Sequence, residues 1–528
     1  MLPLRLAGQY EVAAGQVSQP NYTHYLNELL FTHAGDSRGP ASLQHDAARQ
    51  NIRDTLASFG LQVTEETFYY QGGPGPYFDY PAGTYCNVTA VLPGKVRPGE
   101  YHVIGAHYDS VNNPGADDDG SGIAALLEAA RVASLHDFEA SLVFVAFDLE
   151  ETGLIGSKAW VAAHSGDRIQ SMLQLDMIAF NSPGRLYNQI ALRPPDTSAN
   201  PAFAAAWRAV AQYGTPLVPV TAGTSLLSDH ASFAGVAPAV EMIEAFQAIY
   251  DMNPYNHKLS DSVDTPGNID YDFAAAATRA VVGYLAQQAR MLPDDPAAAR
   301  LSPGGVYNLA SFIVGPVAPG ELITLAGSGF GDQPSVLVRD SAGLDRPVAV
   351  SYASGTQINL VLPSDLPAGA QTLVVMRDDG TLLETGVTVE TVAPGVFTAA
   401  SSGLGAPEGY TDRISPDGAG TTQNLFVCAA PAAGCVPTPV DFGGAGDRVL
   451  VVLYGTGIRG RSDLAGVSLQ VAGQNLPVQY AGAQPTYPGL DQVIVELPRT
   501  LHGAGPVSAT LRVDGRAANP VVIDMGAP

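Results

Sequence analysis

The run LVFVAFDL (142–149) has the length and apolar character of a buried strand, and it ends on two adjacent carboxylates, Glu150 and Glu151. Buried strands of this kind belong to parallel or mixed sheets covered by helices. Charged groups leaving such a strand cost desolvation energy unless something uses their charge. A metal-hydrolase site uses both, one as ligand and one as proton carrier. Other strand ends bring matching groups. His107 and Asp109 follow YHVIGA, Asp176 follows MLQL, and His257 lies downstream of PAVEMIEA. Open α/β sheets build their sites at the carboxyl ends of strands. The pattern therefore predicts a hydrolase working with two metal ions.

At 528 residues the chain exceeds one ordinary core. Residues 1–291 alternate helical and strand-like segments. QHDAARQNIRDTLASFG (44–60) has helical spacing and a glycine stop, LQVTEETFYY alternates like a strand, and the helix-like SGIAALLEAARVAS and IGSKAWVAAH flank LVFVAFDLEE. This predicts an α/β domain with a mixed, mainly parallel sheet flanked by helices. The Pro/Ala/Asp-rich stretch 292–305 reads as a linker. Beyond it helical periodicity stops, and short alternating runs separated by Gly/Pro turns take over. An internal repeat is visible there: GELITLAGSGFG (320–331) matches DRVLVVLYGTGIRG (447–460), and RPVAVSYASGTQINLVLP (346–363) matches LPVQYAGAQPTYPGLDQVIVELP (476–498). All-β sandwiches over 306–396 and 397–528 are expected.

The formal net charge is −25, and lysine occurs only at 95, 158 and 258. Phosphate binding needs clustered basic residues, so nucleic acid is excluded as a partner. No run of about 18 apolar residues occurs, so no membrane-spanning helix is expected. MLPLRLAG is too short for a signal peptide; a secreted or periplasmic monomer is nevertheless the expectation. Cys428 and Cys435 flank AAPAAG, a spacing that can close a small disulfide, whereas Cys86 in TYCNVTAV reads as a buried free thiol.

Imidazole and carboxylate donors without sulfur suit Zn2+, Mn2+ or Co2+. Asp109 follows His107 by two, within reach of the imidazole's second N–H. NNPGADDDGSG (112–122) packs three aspartates between glycines ahead of a helix. Alone, such a loop is a capped, solvated turn. Beside the EE pair and the H-x-D motif it can set one carboxylate between two cations about 3.5–4 Å apart.

Six motifs occur in order: GAHYDS (105–110), GADDDGSG (115–122), EETGLIGS (150–157), QLDM (174–177), SDHASF (228–233) and NPYNH (253–257). They closely resemble the two-zinc aminopeptidases of peptidase family M28, over roughly residues 20–290. The resemblance implies a zinc-exopeptidase fold, two Zn2+ per chain (Co2+ or Mn2+ as alternatives), and peptide or protein N-termini as substrate. It implies that Asp118 bridges both ions, with His107 and Asp176 completing one site and Glu151 and His257 the other. Glu150 would be general base and acid, with Asp109 supporting. Residues 306–528 resemble Ig-like regions of exported bacterial proteins, for which binding to a polymer or surface is expected.

The chain departs from the family at AGTSLLSDH (222–230), which lacks a tyrosine ahead of S-D-H. Tyr250 and Tyr255 are the candidates to replace it. Met177, Met242, Ile243 and Phe246 are candidates either for an apolar specificity pocket or for core packing. Ser228, Asp229 and His230 are consecutive and cannot converge as a triad, so they read as support for the metal site. The G-x-G-x-x-G match at 455–460 has no following helix and reads as a turn. His45 is expected on the surface or in helix packing, and His102 in a structural role. Three other functions share parts of the pattern: a one-zinc glutaminyl cyclase-like transferase, a carboxypeptidase, and a non-enzymatic binding or adhesion protein.

Overall fold

Every residue of strand Ala140–Phe147 is buried, as its unbroken apolar run requires. In the computed structural model it lies inside an eight-stranded sheet. The order is Gln62–Tyr70, Gly83–Leu92, Ala140–Phe147, Arg97–His107, Arg168–Leu175, Ala239–Glu244, Gln189–Arg193 and Val218–Thr221. The four central strands run parallel to one another, so their carboxyl ends, at Phe147, His107, Leu175 and Glu244, share one edge. Val103, Val143, Val145, Phe147 and Met172 pack with Trp160 of helix Ile155–Ala163 and with Phe233. Alternate residues Ile104, Phe144 and Leu173 are equally buried and face the opposite side. Helix Gly120–Ser134 is buried along its whole length and packs against Tyr271–Gln288. Met242 and Ile243, on strand Ala239–Glu244, are buried, in keeping with core packing.

The described residues are 4–74, 79–197, 199–245, 253–292, 299–331, 333–377, 380–428 and 435–527. They form two compact units, Met1–Asp294 and Asp295–Pro528. Residues 293–298 of the expected linker, together with Phe246 and Tyr250, fall outside the described residues. The first strand of the second unit, Arg300–Asn308, begins inside that stretch.

The second unit is built from antiparallel sheets, and the sequence repeat reappears as a repeat of topology. In the first half the neighbour order runs Leu322–Ser328, Gln357–Val361, Asp345–Ala353, Ser335–Arg339, Gly369–Met376. In the second it runs Arg448–Thr456, Asp491–Leu497, Gln474–Ala483, Val467–Val471, Pro506–Val513. A register shift falls at equivalent places, between Val350 and Tyr352 and between Val478 and Tyr480. Bulges of this kind let one strand bend and serve both layers of a sandwich. Each half encloses its own apolar cluster, one around Ile323, Leu325 and Leu360, the other around Val451, Leu469 and Val495. Gly457, in the G-x-G-x-x-G match, has φ +74° and sits in a turn after a strand. Cys428 and Cys435 are disulfide-bonded across paired strands, and Cys86 is a buried free thiol. No helix among the described residues is long and apolar enough to cross a membrane.

Candidate metal centre

The carboxyl edge of the four parallel strands gathers the predicted side chains. Two donor groups form there: His107 with Asp119 and Asp176, and Asp118 with Glu151 and His257. Asp118 stands between them. Its Oδ1 is 3.3 Å from His107 Nε2, and its Oδ2 is 2.9 Å from His257 Nε2. His257 Nε2 is also 3.2 Å from Glu151 Oε2.

Three adjacent aspartates do three different jobs. Asp117 accepts from the Ala179 N–H and from Asn253 Nδ2. Asp119 caps helix Gly120–Ser134 through the Gly122 N–H, and also accepts from the N–H groups of His107 and Met177. Both of its oxygens thus accept from main-chain donors. Asp118 directs both oxygens at imidazoles, with Asn256 Nδ2 as a further donor at 2.7 Å. Glycine is required nearby. Gly115 has φ +56°, and a Cβ there would lie 2.3 Å from the Asp118 carbonyl oxygen. The Asp118–Asp119 peptide bond is cis.

Asp109 works mainly as a strut. Its two carboxylate oxygens accept from the N–H groups of Glu150 (3.1 Å) and Glu151 (3.3 Å). This fixes the turn on which both glutamates stand. His107 Nδ1 faces Asp109 as well, with the main-chain oxygen at 3.1 Å and the carboxylate at 3.5 Å. Leu149, Met177 and His257, each at or beside a site residue, have left-handed backbones. Such conformations in non-glycine residues cost roughly 1 kcal/mol or more and persist where tertiary contacts enforce them.

The electrostatics are those of anions crowded out of water. Burial pushes Glu150 well above the usual carboxylate range, and repulsion from Asp229, Glu151 and Asp176 adds to it against the pull of His107. Burial raises Glu151 to about 7, helped by the Asp118 charge, and raises Asp176 to about 7 as well. Burial works against charge on His257, yet hydrogen bonds to Asp118 and Glu151 lift it to about 11. Asp118 moves the other way. Burial opposes its ionisation, but hydrogen bonds from His107 and His257 hold it well below the ordinary range.

This donor set fits divalent cations. It offers imidazole nitrogens and carboxylate oxygens in groups of three. Glu151 Oε1 is a buried acceptor with no hydrogen-bond partner among the described residues, which leaves its lone pairs available to a cation.

Several supporting residues carry no local sequence signal. Asp261 accepts from the N–H groups of Asp117 and Asp118 and from Asn268 Nδ2. Arg193 forms a buried two-pronged pair with Glu241, at 2.6 and 2.9 Å. His45, expected on a surface or in plain helix packing, is instead buried with Nε2 2.8 Å from Asp148 Oδ1, and Tyr108 donates to the other Asp148 oxygen. Asp229 lies beside Gln174, in keeping with support of the site, while His230 turns its ring away to the Ser225 carbonyl. Tyr255 donates to the Pro266 carbonyl rather than to a site residue. His102 binds Ser171 and is pushed down to about 4 by burial, a neutral core residue.

Residues 87–285 match the family model for peptidase family M28. The N-terminal unit thus carries an M28 peptidase domain over those residues. The chain is 30% identical over 199 residues to Leucine aminopeptidase 1 of Paracoccidioides brasiliensis (strain Pb03), covering 34% of this chain and 47% of that protein. It is 38% identical over 102 residues to a probable zinc metalloprotease of Pyrenophora teres f. teres, covering 17% and 22%. The chain thus spans about half or less of the curated relatives it matches. Similar solved structures include BSAP, a zinc aminopeptidase from Bacillus subtilis, with 15% identity, TM-score 0.46 and coverage of 53% and 96%. A glutaminyl cyclase of Porphyromonas gingivalis gives 21% identity, TM-score 0.44 and coverage of 52% and 99%.

Proposed function

We propose that the M28 domain is a metal-dependent aminopeptidase that holds two Zn2+ and uses Glu150 as general base and acid. The supporting observation is the junction at Asp118, whose two oxygens face two separate donor groups while Glu150 stands on the same turn as Glu151. His107 and Asp176 would hold one ion, Glu151 and His257 the other, and Asp118 both. Bound there, the ions would acidify a water molecule and polarise the scissile carbonyl.

The protein's own part is proton handling and placement. A carboxylate oxygen of Glu150 takes a proton from the attacking water as its oxygen bonds the carbonyl carbon. The same carboxyl then delivers that proton to the departing amide nitrogen as the C–N bond breaks. Burial makes Glu150 a stronger base than a solvated carboxylate, which suits it to both transfers. Asp109 keeps it aimed through the Glu150 N–H. The surplus of buried acid favours a free α-ammonium group, so substrates are counted from the N-terminus. The Cys428–Cys435 bond agrees with an exported protein.

The reading is tested on amino-acid p-nitroanilides, and on one peptide blocked at either end. Hydrolysis should require a free N-terminus, stop on chelation and return with Zn2+. Cleavage only of the N-blocked peptide would reject it in favour of a carboxypeptidase, and one zinc per active chain would favour a cyclase-like transferase.

A further inference from the structure

A cluster this acidic has few fixed positive charges, and one of them is sealed inside it. Arg38 is fully buried. Its guanidinium makes no ion pair among the described residues and spends its donors on main-chain carbonyls. Nε donates to Tyr108 O at 2.8 Å, and Nη2 to Gly115 O at 2.7 Å. Nη1 donates to Pro114 O, and to Leu30 O at 3.2 Å. The Arg38 main chain adds a second tie, because its N–H donates to Ser110 Oγ and its carbonyl accepts from the Ser110 N–H. Ser110 Oγ in turn donates to Asn113 O at 2.8 Å.

The positions of those carbonyls give the arrangement its meaning. Tyr108 lies between His107 and Asp109, at the end of strand Arg97–His107. Pro114 and Gly115 begin the loop that delivers Asp118. One planar group therefore spans two of the segments that supply donors, one carrying His107 and the other Asp118, and it does so without touching a donor. Burial works against its charge, and the surrounding carboxylates of Asp261, Asp119, Asp109 and Asp118 favour it. A lysine could not do the same, since a single ammonium has neither the planar fork nor the span to reach carbonyls on separate segments.

We propose that Arg38 is a positioning residue for the metal centre: it locks the His107–Asp109 strand end to the Asp118 loop, so that the ions enter a pocket already assembled. This rests on the metal-centre reading above. Without the lock, the loop would have to be ordered by the ions themselves. Part of the binding free energy would then go into ordering the chain. The defect would show as weaker metal binding and lower turnover with little change in KM.

The test compares full-length wild type with Arg38→Lys and with the milder Ser110→Ala. Zn2+ affinity is measured by chelator competition, and amide hydrogen exchange is followed over residues 108–119 in the metal-free protein. Arg38→Lys should bind Zn2+ about tenfold to a hundredfold more weakly. It should lose protection over 108–119 and regain it with Zn2+, and kcat should fall with KM nearly unchanged. Ser110→Ala should shift all three in the same direction by less. A folded Arg38→Lys with wild-type affinity and wild-type protection overturns the proposal, because a merely structural role lowers melting temperature alone. If Arg38→Lys does not fold, unchanged affinity and exchange in Ser110→Ala overturn it. Should wild type itself take up no Zn2+, the metal reading fails, and the exchange comparison in metal-free protein still decides the lock.

Discussion

Two sets of buried acid in this chain, one in each unit, are treated in opposite ways. In the β-rich unit, Asp491 is fully buried, yet it pairs with Arg459 Nε at 2.8 Å and accepts from the N–H groups of Ile458 and Arg459. Its charge is matched by the chain, and its work is to hold a turn. In the M28 domain, Asp118, Glu150, Glu151 and Asp176 gather at the carboxyl edge of the sheet, with imidazoles and the buried Arg38 guanidinium as counterweights. Folding a chain around uncompensated carboxylates costs several kcal/mol per charge. The contrast teaches where function lies. Matched charge builds structure, and surplus charge awaits a partner from outside.

The sharpest way to break the comparison is Glu150→Gln. It should lower kcat by about 10² to 10⁴ while zinc content, measured by elemental analysis, stays at the wild-type value. Zinc loss in this variant would make Glu150 a ligand and not a base. Next comes His45→Asn. It strips the imidazole partner from Asp148 inside the protein, and loss of one member of a buried pair costs about 3–5 kcal/mol. Calorimetry should show the M28 transition falling while the β-rich transition stays in place.

Removing the metal should act in the same selective way. A ligand present at about 100 to 1,000 times its Kd stabilises by about 3–4 kcal/mol, so chelation should lower only the M28 transition. The pH dependence has a definite sign. Glu151 and Asp176 hold protons up to about 7 when no cation competes, and His257 up to about 11. Cations must displace those protons, so apparent Zn2+ affinity should rise as pH rises from about 6 to 8, by roughly tenfold per unit for each proton released. Calorimetric titration in buffers of different ionisation heat would count the protons. The smallest effect belongs to the other unit. Reducing Cys428–Cys435, which closes a loop of sequence separation 7, should destabilise the β-rich unit by about 2 kcal/mol and leave hydrolysis unchanged.

The legible parts of the sequence were those written in short-range pattern. The apolar run 142–149 with its EE terminus gave a central strand that leads into two buried carboxylates. The 320–331 and 447–460 repeat marked two β-rich halves, while their common strand order and bulge emerge only in the fold. What stayed hidden depends on distance along the chain. Arg38 lies in DSRGP, which has no feature of its own, and becomes a lock only when residues 70 to 77 positions away arrive around it. His45 meets Asp148 across 103 positions. The division of labour among Asp117, Asp118 and Asp119 was likewise beyond local reasoning, because it depends on which partner each side chain meets once the loop is folded.

The central claim is that Asp118 joins two cation sites. Anomalous scattering from crystals grown with Zn2+ tests it most directly. The account predicts two peaks flanking the Asp118 carboxylate, one beside His107 and Asp176 and the other beside Glu151 and His257. A single peak, or none at saturating Zn2+, would contradict it.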